Sequence, residues 1–180
     1  MAVSAREFEQ LALNEPNQWE LYCGEPRRKP GMTYEHNFTA SSLYLQLGQQ
    51  LDGKVFQVRL GMGHVRRSEE NYFIPDVYVI PVGLTIPLRG TRKLEVYSAA
   101  LPLVVEVWSP STGTYDVDTK IPEYQRRGDL EIWRLHPYDR TLTCWRKQPE
   151  ATYLKREQSG GTVQPAALPN VTVDLDALFE

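Results

Sequence analysis

The spacing of apolar and polar residues changes from helical to extended near residue 55. Residues 6–16 predict a short helix, and residues 36–53 predict a second one with apolar side chains along one side. Thr33 can cap this second helix, which places Glu35 in its first turn, where a negative charge is favourable. Beyond residue 55 apolar and polar residues alternate, which indicates half-buried β-strands. The chain is therefore expected to begin with helices and to continue mainly as β-structure.

Two later segments are the most strand-like in the chain. NYFIPDVYVIP, residues 71–81, is rich in β-branched and aromatic residues. LPLVVEVWSP, residues 101–110, is so apolar that it predicts a central strand covered on both faces. Residues 116–128 predict a short crossover helix, capped by Asp118 or by Asp116, and three strands follow it. This order predicts an α+β (α/β-like) fold in which helices flank a mixed central β-sheet.

Length and composition add the expectation of one globular domain covering residues 1–180. Hydrophobic residues make up 41% of the 180 residues and charged residues 24%, as in ordinary globular proteins. There is no apolar run long enough to span a membrane, and the first residues lack the apolar core of a signal peptide. We therefore expect a cytoplasmic protein. Cys23 and Cys144 stand apart without CxxC spacing, which argues against a zinc site.

The net charge of −3 argues against a broad basic surface for nucleic acid. It does not exclude a nuclease, because site carboxylates add negative charge that a bound metal offsets locally. Basic residues cluster at 27–29, 66–67, 92–93 and 126–127. Taken singly, each cluster is best interpreted as a solvated surface.

Two carboxylates stand inside the two most apolar segments. Asp76 lies in FIPDVYVIP and Glu106 lies in LVVEVWSP. A buried carboxylate is usually paired, protonated or bound to a metal, because burying it alone is costly. If the two strands are neighbours with matching faces, both carboxylates converge and offer the oxygen ligands that Mg²⁺ prefers. The alternative for each acid is a strand-end cap or an arginine partner.

Lys120 follows on the predicted crossover helix. Asp116, Lys120 and Tyr124 are spaced four residues apart, so they share one face of a helix. A lysine beside two carboxylates can stabilise negative charge on a phosphate or position an attacking water. From the spacing alone, an ordinary surface pair between Asp116 and Lys120 is the stronger interpretation.

Three motifs resemble the Uma-type family of predicted restriction endonucleases, which belongs to the PD-(D/E)XK nuclease superfamily. They are PDVYVIP, then LVVEVWSPST, then YDVDTKIPEYQRRGDLEIWRLHP. WELYCGEP is similar to a segment near the start of family members, and the position of a helical histidine also agrees. The resemblance runs from about residue 19 to residue 137. Its most specific part is EVWSPST combined with DxxxK and the strand that follows.

The resemblance implies a nuclease site that uses Mg²⁺ or Mn²⁺. Asp76 and Glu106 match the two metal-binding acids, and the carbonyl of Val107 is a further expected ligand. The motif's lysine would stand at Trp108, which is a departure. In this family the lysine is found on the following helix, so Lys120 takes the catalytic role. The implied reaction is metal-assisted phosphodiester hydrolysis.

Further residues are candidates for lining this site. His36 opens the second helix, Glu35 precedes it, and Ser109 and Ser111 lie in the loop after the acidic strand. The candidates are His36, Glu35, Ser109, Ser111, Asp116 and Tyr124. A helical histidine is more often a packing residue, so His36 depends on the family match.

Three functions remain open from the sequence. The first is a Mg²⁺-dependent DNA endonuclease acting as a homodimer, because two symmetric sites can cut both strands. The second is a non-catalytic module of the same fold that binds nucleic acid or protein, which the acidic net charge favours. The third is a small-molecule phosphatase or another metal hydrolase. Intact Asp76, Glu106 and Lys120 favour the first.

Overall fold

A computed structural model describes residues 2–180 of the chain. The helical elements are α1 (Ala5–Asn14), α2 (Tyr34–Gln50), a 3₁₀ segment (Val82–Leu88), α3 (Gly113–Tyr115), a π segment (Asp116–Lys120), α4 (Ile121–Arg127) and α5 (Leu175–Leu178). The predicted caps are present in part: the Thr33 hydroxyl accepts from the His36 backbone N–H at 3.2 Å. Gly128 ends α4 in the left-handed conformation, with φ 82°.

The strands form two larger sheets and one small ribbon. They are β1 (Trp19–Tyr22), β2 (Glu25–Arg28), β3 (Phe56–Leu60), β4 (His64–Ser68), β5 (Asn71–Phe73), β6 (Val77–Pro81), β7 (Val96–Tyr97), β8 (Leu103–Val107), β9 (Glu131–His136), β10 (Thr141–Lys147), β11 (Tyr153–Ser159), β12 (Thr162–Val163) and β13 (Val173–Asp174). The six-stranded sheet has the order β11-β10-β9-β8-β6-β3, and the five-stranded sheet has the order β2-β1-β5-β4-β7. β12 pairs only with β13.

The central sheet is mixed, as the sequence predicts. β8 and β9 run parallel and are joined by the helical segment 113–127, whereas the other pairs in this sheet are antiparallel. One face packs on α2 and the C-terminal tail through Leu43, Val105 and Leu178. The other face packs on the helical segment through Tyr78, Val104 and Tyr124. The predicted α+β fold is therefore confirmed.

The prediction of a single strand over residues 71–81 is wrong. It forms β5 in one sheet and β6 in the other, with Ile74, Pro75 and Asp76 between them. Pro75 has no N–H to donate to a ladder, so strand pairing breaks there. The Ile74 N–H donates instead to the Glu20 carboxylate at 2.8 Å. Asp76 consequently lies where the chain passes from one sheet to the next.

The crossover helix begins earlier than predicted, so neither Asp118 nor Asp116 is its cap. Helical structure starts at Gly113, and Asp116 lies in the π segment. Within that segment the Ile121 N–H bonds to the Asp116 carbonyl, a wider turn than in an α-helix. Pro122 is tolerated because this change of hydrogen-bond pattern falls where its N–H is missing.

Candidate functional site

The register between β6 and β8 brings the two predicted carboxylates together. Val77 is opposite Val105, and Tyr78 is opposite Val104, so extending the ladder by one residue pairs Asp76 with Glu106. The Asp76 N–H continues this ladder by donating to the Val105 carbonyl at 3.1 Å. Asp76 is 4% exposed and Glu106 is 1% exposed. The two acids therefore share one buried site at the end of the pairing.

Asp76 is held as a charged group by three donors. Lys29 Nζ lies 2.8 Å from its Oδ1, while His36 Nε2 at 3.0 Å and the Val107 N–H at 2.8 Å both reach its Oδ2. Burial opposes ionisation, but the Lys29 ammonium and the His36 hydrogen bond outweigh it and hold the pKa of Asp76 well below its usual range. His36 therefore contacts the site directly.

Glu106 has the opposite balance of forces. Its Oε1 lies 2.8 Å from Lys120 Nζ and accepts a hydrogen bond from the Tyr124 hydroxyl. Burial raises the pKa of Glu106 well above its ordinary value, and the negative charges of Asp76 and Asp116 add to this effect despite Lys120. The pKa values of these two neighbouring carboxyl groups are thus shifted in opposite directions.

Lys120 is the centre of an acidic cluster. Its Nζ lies 2.9 Å from Glu20 Oε1 and 3.9 Å from Asp116 Oδ1, and its side chain is 2% exposed. Burial alone would lower the pKa of Lys120, but Glu106 and Glu20 raise it well above its ordinary value, so the lysine stays charged. Burial raises the pKa of Asp116 to about 6. The surface-pair alternative for Asp116 and Lys120 is wrong, because both are buried.

Glu20 and Lys29 belong to this cluster and were not predicted. Glu20 is on β1 and Lys29 follows β2, so the β1–β2 hairpin supplies one wall of the site. The Ile74 carbonyl accepts from both Lys29 Nζ at 2.9 Å and Lys120 Nζ at 3.4 Å. The ELYCGE motif is the signal that points to Glu20, whereas nothing in the sequence distinguishes Lys29 from its basic neighbours.

Trp108, which stands at the motif's lysine position, is turned to a packing role. Its ring stacks on His136 with centroids 4.3 Å apart and meets Tyr138 edge-on at 5.6 Å. A side chain at Gly113 would collide with the indole, so Gly113 makes the room for it. The ammonium beside Glu106 comes from Lys120 instead.

The remaining candidates divide between the site and its edge. Ser109 Oγ lies within hydrogen-bonding distance of Ser111 and Thr112, at 3.2 and 2.9 Å, and Thr112 donates to Asp116 at 3.0 Å. This loop therefore reaches the site through Asp116. Glu35 is exposed and accepts from the Tyr138 hydroxyl at 3.1 Å, so the structure places it with the Trp108 cluster and not with the acids.

The acids form the floor of an open cavity of about 250 Å³. The cavity is also lined by Arg27, Arg28 and Lys29 from the end of the β1–β2 hairpin, and by Thr112 and Tyr115 from the segment that follows β8. The floor carries Glu20, Asp76, Glu106, Asp116 and Lys120.

The donor set suits a hard divalent cation in charge and in chemistry. Four buried carboxyl groups, Glu20, Asp76, Glu106 and Asp116, lie beside two ammonium groups. With all four ionised, the acids would carry more charge than the two ammonium groups, and a divalent cation would offset the difference. All these donors are oxygens, which Mg²⁺ and Mn²⁺ prefer. Within residues 2–180, however, no three acidic, histidine or cysteine side chains are already arranged around one ion position. The Lys29 ammonium occupies the space nearest Asp76 Oδ1, so metal binding at that oxygen requires this ammonium group to move.

Comparisons with known proteins agree with the fold and the motifs. The Uma2 family model, described as "Putative restriction endonuclease", matches residues 5–176. Among solved structures, the chain is similar to a protein from Anabaena variabilis described as a putative nuclease belonging to DUF820. The TM-score is 0.79 at 16% identity, over 98% of this chain and 97% of that one. This likeness shows the restriction-endonuclease-like fold.

No curated protein matches the chain. Among the described residues, no helix is both long and apolar enough to cross a membrane.

Proposed function

Because the chain belongs to the Uma2 family, we propose that it is a metal-dependent endonuclease that hydrolyses phosphodiester bonds of DNA. The observation that supports this most is the buried pair of acids on the floor of an open cavity, with Lys120 Nζ 2.8 Å from Glu106. The similar structure from Anabaena variabilis, described as a putative nuclease, supports the same class of activity.

In this proposal Asp76 and Glu106 hold Mg²⁺ or Mn²⁺, with the Val107 carbonyl as a further ligand. When bound, such an ion polarises the phosphate and makes an attacking water more acidic. The Val107 N–H and His36 fix the Asp76 carboxylate by binding its Oδ2, which leaves Oδ1 to exchange Lys29 for the ion. Tyr124 orients Glu106 in the same way from the helical segment.

Lys120 contributes positive charge next to the phosphate position. Its pKa is raised, so it carries that charge across the physiological range and does not act as a base. Negative charge develops on the phosphate in the transition state, and a fixed ammonium in a water-poor site stabilises it more strongly than one in water. Glu20 and Asp116 hold the ammonium in place.

We propose that the enzyme acts as a homodimer in solution, so that two sites can cut both strands of a duplex. Sedimentation of the purified chain tests this directly. A monomer at micromolar concentration would remove the dimer from the proposal without affecting the single site.

The catalytic proposal is tested by incubating purified protein with plasmid DNA in Mg²⁺, in Mn²⁺ and in EDTA. We expect cleavage with either metal and none in EDTA. Asp76→Asn, Glu106→Gln and Lys120→Met should each abolish it, whereas Asp118→Asn, an exposed acid on the same helical segment, should not. Metal-dependent cleavage that survives Asp76→Asn would contradict the proposed site.

A non-catalytic module is the second candidate, and one observation favours it. Each of the two predicted metal-binding carboxylates already has an ammonium partner, Lys29 for Asp76 and Lys120 for Glu106. A protein that binds nucleic acid but cuts neither DNA nor RNA in Mn²⁺ would support this candidate. Cleavage that depends on Asp76 would exclude it.

A further inference from the structure

The β1–β2 hairpin carries two arginines whose charge is not neutralised by a carboxylate. Among the twelve other arginines of the described residues, six form ion pairs with acids and six do not; the paired ones are Arg59, Arg66, Arg67, Arg126, Arg127 and Arg146. Within the described part of the chain, Arg27 and Arg28 form no such ion pair, although both line the acidic cavity. Both are exposed.

Aromatic rings hold these two guanidinium groups in place. The Arg27 guanidinium lies over Tyr22 at 5.6 Å and over Tyr115 at 5.2 Å, which joins the hairpin to the helical segment that carries Lys120. The Arg28 guanidinium lies over Trp19 at 5.9 Å and donates to Asn17. Stacking on a ring orients a guanidinium but leaves its in-plane N–H donors free for another partner.

The backbone register explains why Arg27 stands at the edge of the acids. Glu20 and Arg27 are directly opposite each other in the β1–β2 pair, so their side chains project from the same face of the hairpin. Glu20 Oε1 contacts Lys120 Nζ at 2.9 Å and accepts from the Ile74 N–H at 2.8 Å, so Glu20 is bound to Lys120 and forms no ion pair with Arg27. Because Arg27 and Arg28 are exposed and line the cavity, their positive charges form its rim, while the buried acids form its floor.

We propose that Arg27 and Arg28 bind the backbone phosphates of nucleic acid that flank the phosphate over the acidic floor. The inference rests on the proposed function and adds which surface holds the strand. An acidic cavity repels a polyanion, and two preoriented guanidinium groups at its rim offset that repulsion where the strand enters. Because the contacts are to phosphates, this surface is expected to bind without regard to base sequence.

The test measures binding of a fluorescein-labelled 20-base-pair duplex by anisotropy, with Ca²⁺ in place of Mg²⁺, over a series of salt concentrations. Arg27→Ala and Arg28→Ala should each weaken binding about tenfold, the value of one charge-assisted contact. Each should also reduce the slope of log K against log salt by about 1, since one phosphate contact is lost. Arg27→Lys should keep the slope, because the charge remains.

Arg156→Ala is the matched control. Arg156 is an exposed arginine on β11, the edge strand three positions from β8 in the six-stranded sheet. In the sheet Arg156 lies opposite Cys144, and Cys144 lies opposite Trp133. Both partners belong to the core on the sheet face that packs on α2, whereas Tyr124 and the helical segment pack on the other face. Removal of Arg156 lowers the net charge equally, so it reports the effect of charge alone. Thermal melting of every variant shows whether the fold survives.

The outcomes separate this inference from the proposed function. If wild-type protein cuts DNA but Arg27→Ala and Arg28→Ala bind the duplex like Arg156→Ala, the proposal that the two arginines bind phosphates is overturned and the nuclease proposal stands. If the duplex binds normally to both variants and no cleavage occurs, both proposals fail. If the variants lose binding and salt dependence while wild-type protein cuts nothing, phosphate binding by the two arginines is supported and only the catalytic proposal fails.

Discussion

Substituting Lys29 by methionine tests the electrostatics of the site most directly. The Lys29 ammonium lies 2.8 Å from Asp76 Oδ1, and the two side chains are 8% and 5% exposed. Methionine keeps much of the side-chain volume but removes the charge. Asp76 then remains buried with only His36 and the Val107 N–H as partners.

The magnitude follows from the burial of this pair. Removing one partner of a buried ion pair costs about 3–5 kcal/mol, because the other charge is left uncompensated. Asp76 retains two hydrogen-bond donors, so we expect the lower end of the range, about 3 kcal/mol, for Lys29→Met. A bound divalent cation would replace the missing charge. At a Mn²⁺ concentration of 100 times its Kd, binding to the folded state adds about 2.7 kcal/mol.

The assay is urea unfolding at pH 7, in EDTA and in Mn²⁺, for wild-type protein, Lys29→Met and Lys54→Met. Lys54 is exposed, so its substitution should change the free energy of unfolding by less than about 0.5 kcal/mol. Lys29→Met should be destabilised in EDTA and largely restored by Mn²⁺. Mn²⁺ should stabilise wild-type protein less, because the ion must first displace the ammonium.

Two results would refute this reasoning. A loss below about 1 kcal/mol for Lys29→Met in EDTA would mean that Asp76 is not a buried, charge-dependent group. Equal stabilisation of wild-type protein and Lys29→Met by Mn²⁺ would mean that the lysine and the ion do not compete for the same carboxylate.

Three further predictions concern Asp116, the two cysteines and Gly113. Because burial raises the pKa of Asp116 to about 6, the folded state binds a proton more tightly than the unfolded state, and stability is lost as pH rises through that value. In EDTA, the unfolding free energy of wild-type protein relative to that of Asp116→Asn should therefore fall by up to about 1.4 kcal/mol per pH unit between pH 4 and 6. A difference that does not change with pH over this range would contradict the raised pKa. Burial raises the pKa of the Cys144 thiol to about 12, whereas Cys23 is exposed, so a thiol reagent at pH 8 should label one cysteine quickly in native protein and both in urea. Gly113→Ala should cost about 1–3 kcal/mol by crowding Trp108, and a double-mutant cycle with Trp108→Ala should show that much of this cost disappears when the indole is gone.

The sequence by itself determined which residues can meet across the central sheet. Strand alternation places Asp76 with Tyr78 and Glu106 with Val104, and the structure pairs Tyr78 with Val104. The position of Lys120 on the next helical segment came from the DxxxK motif. These features are local, because the repeat of two residues in a strand and of 3.6 residues in a helix fixes the direction of each side chain relative to its neighbours in the sequence.

Only the tertiary structure decided what those residues touch. Lys29 and Glu20 reach the site because the β1–β2 hairpin belongs to a second sheet, whose position depends on long-range packing that no local period encodes. The close packing of the Trp108 ring against Gly113, where the helical segment starts, is likewise a tertiary contact. The opposite pKa shifts of Asp76 and Glu106 also arise in this way, because burial and neighbouring charge exist only once distant segments are brought together.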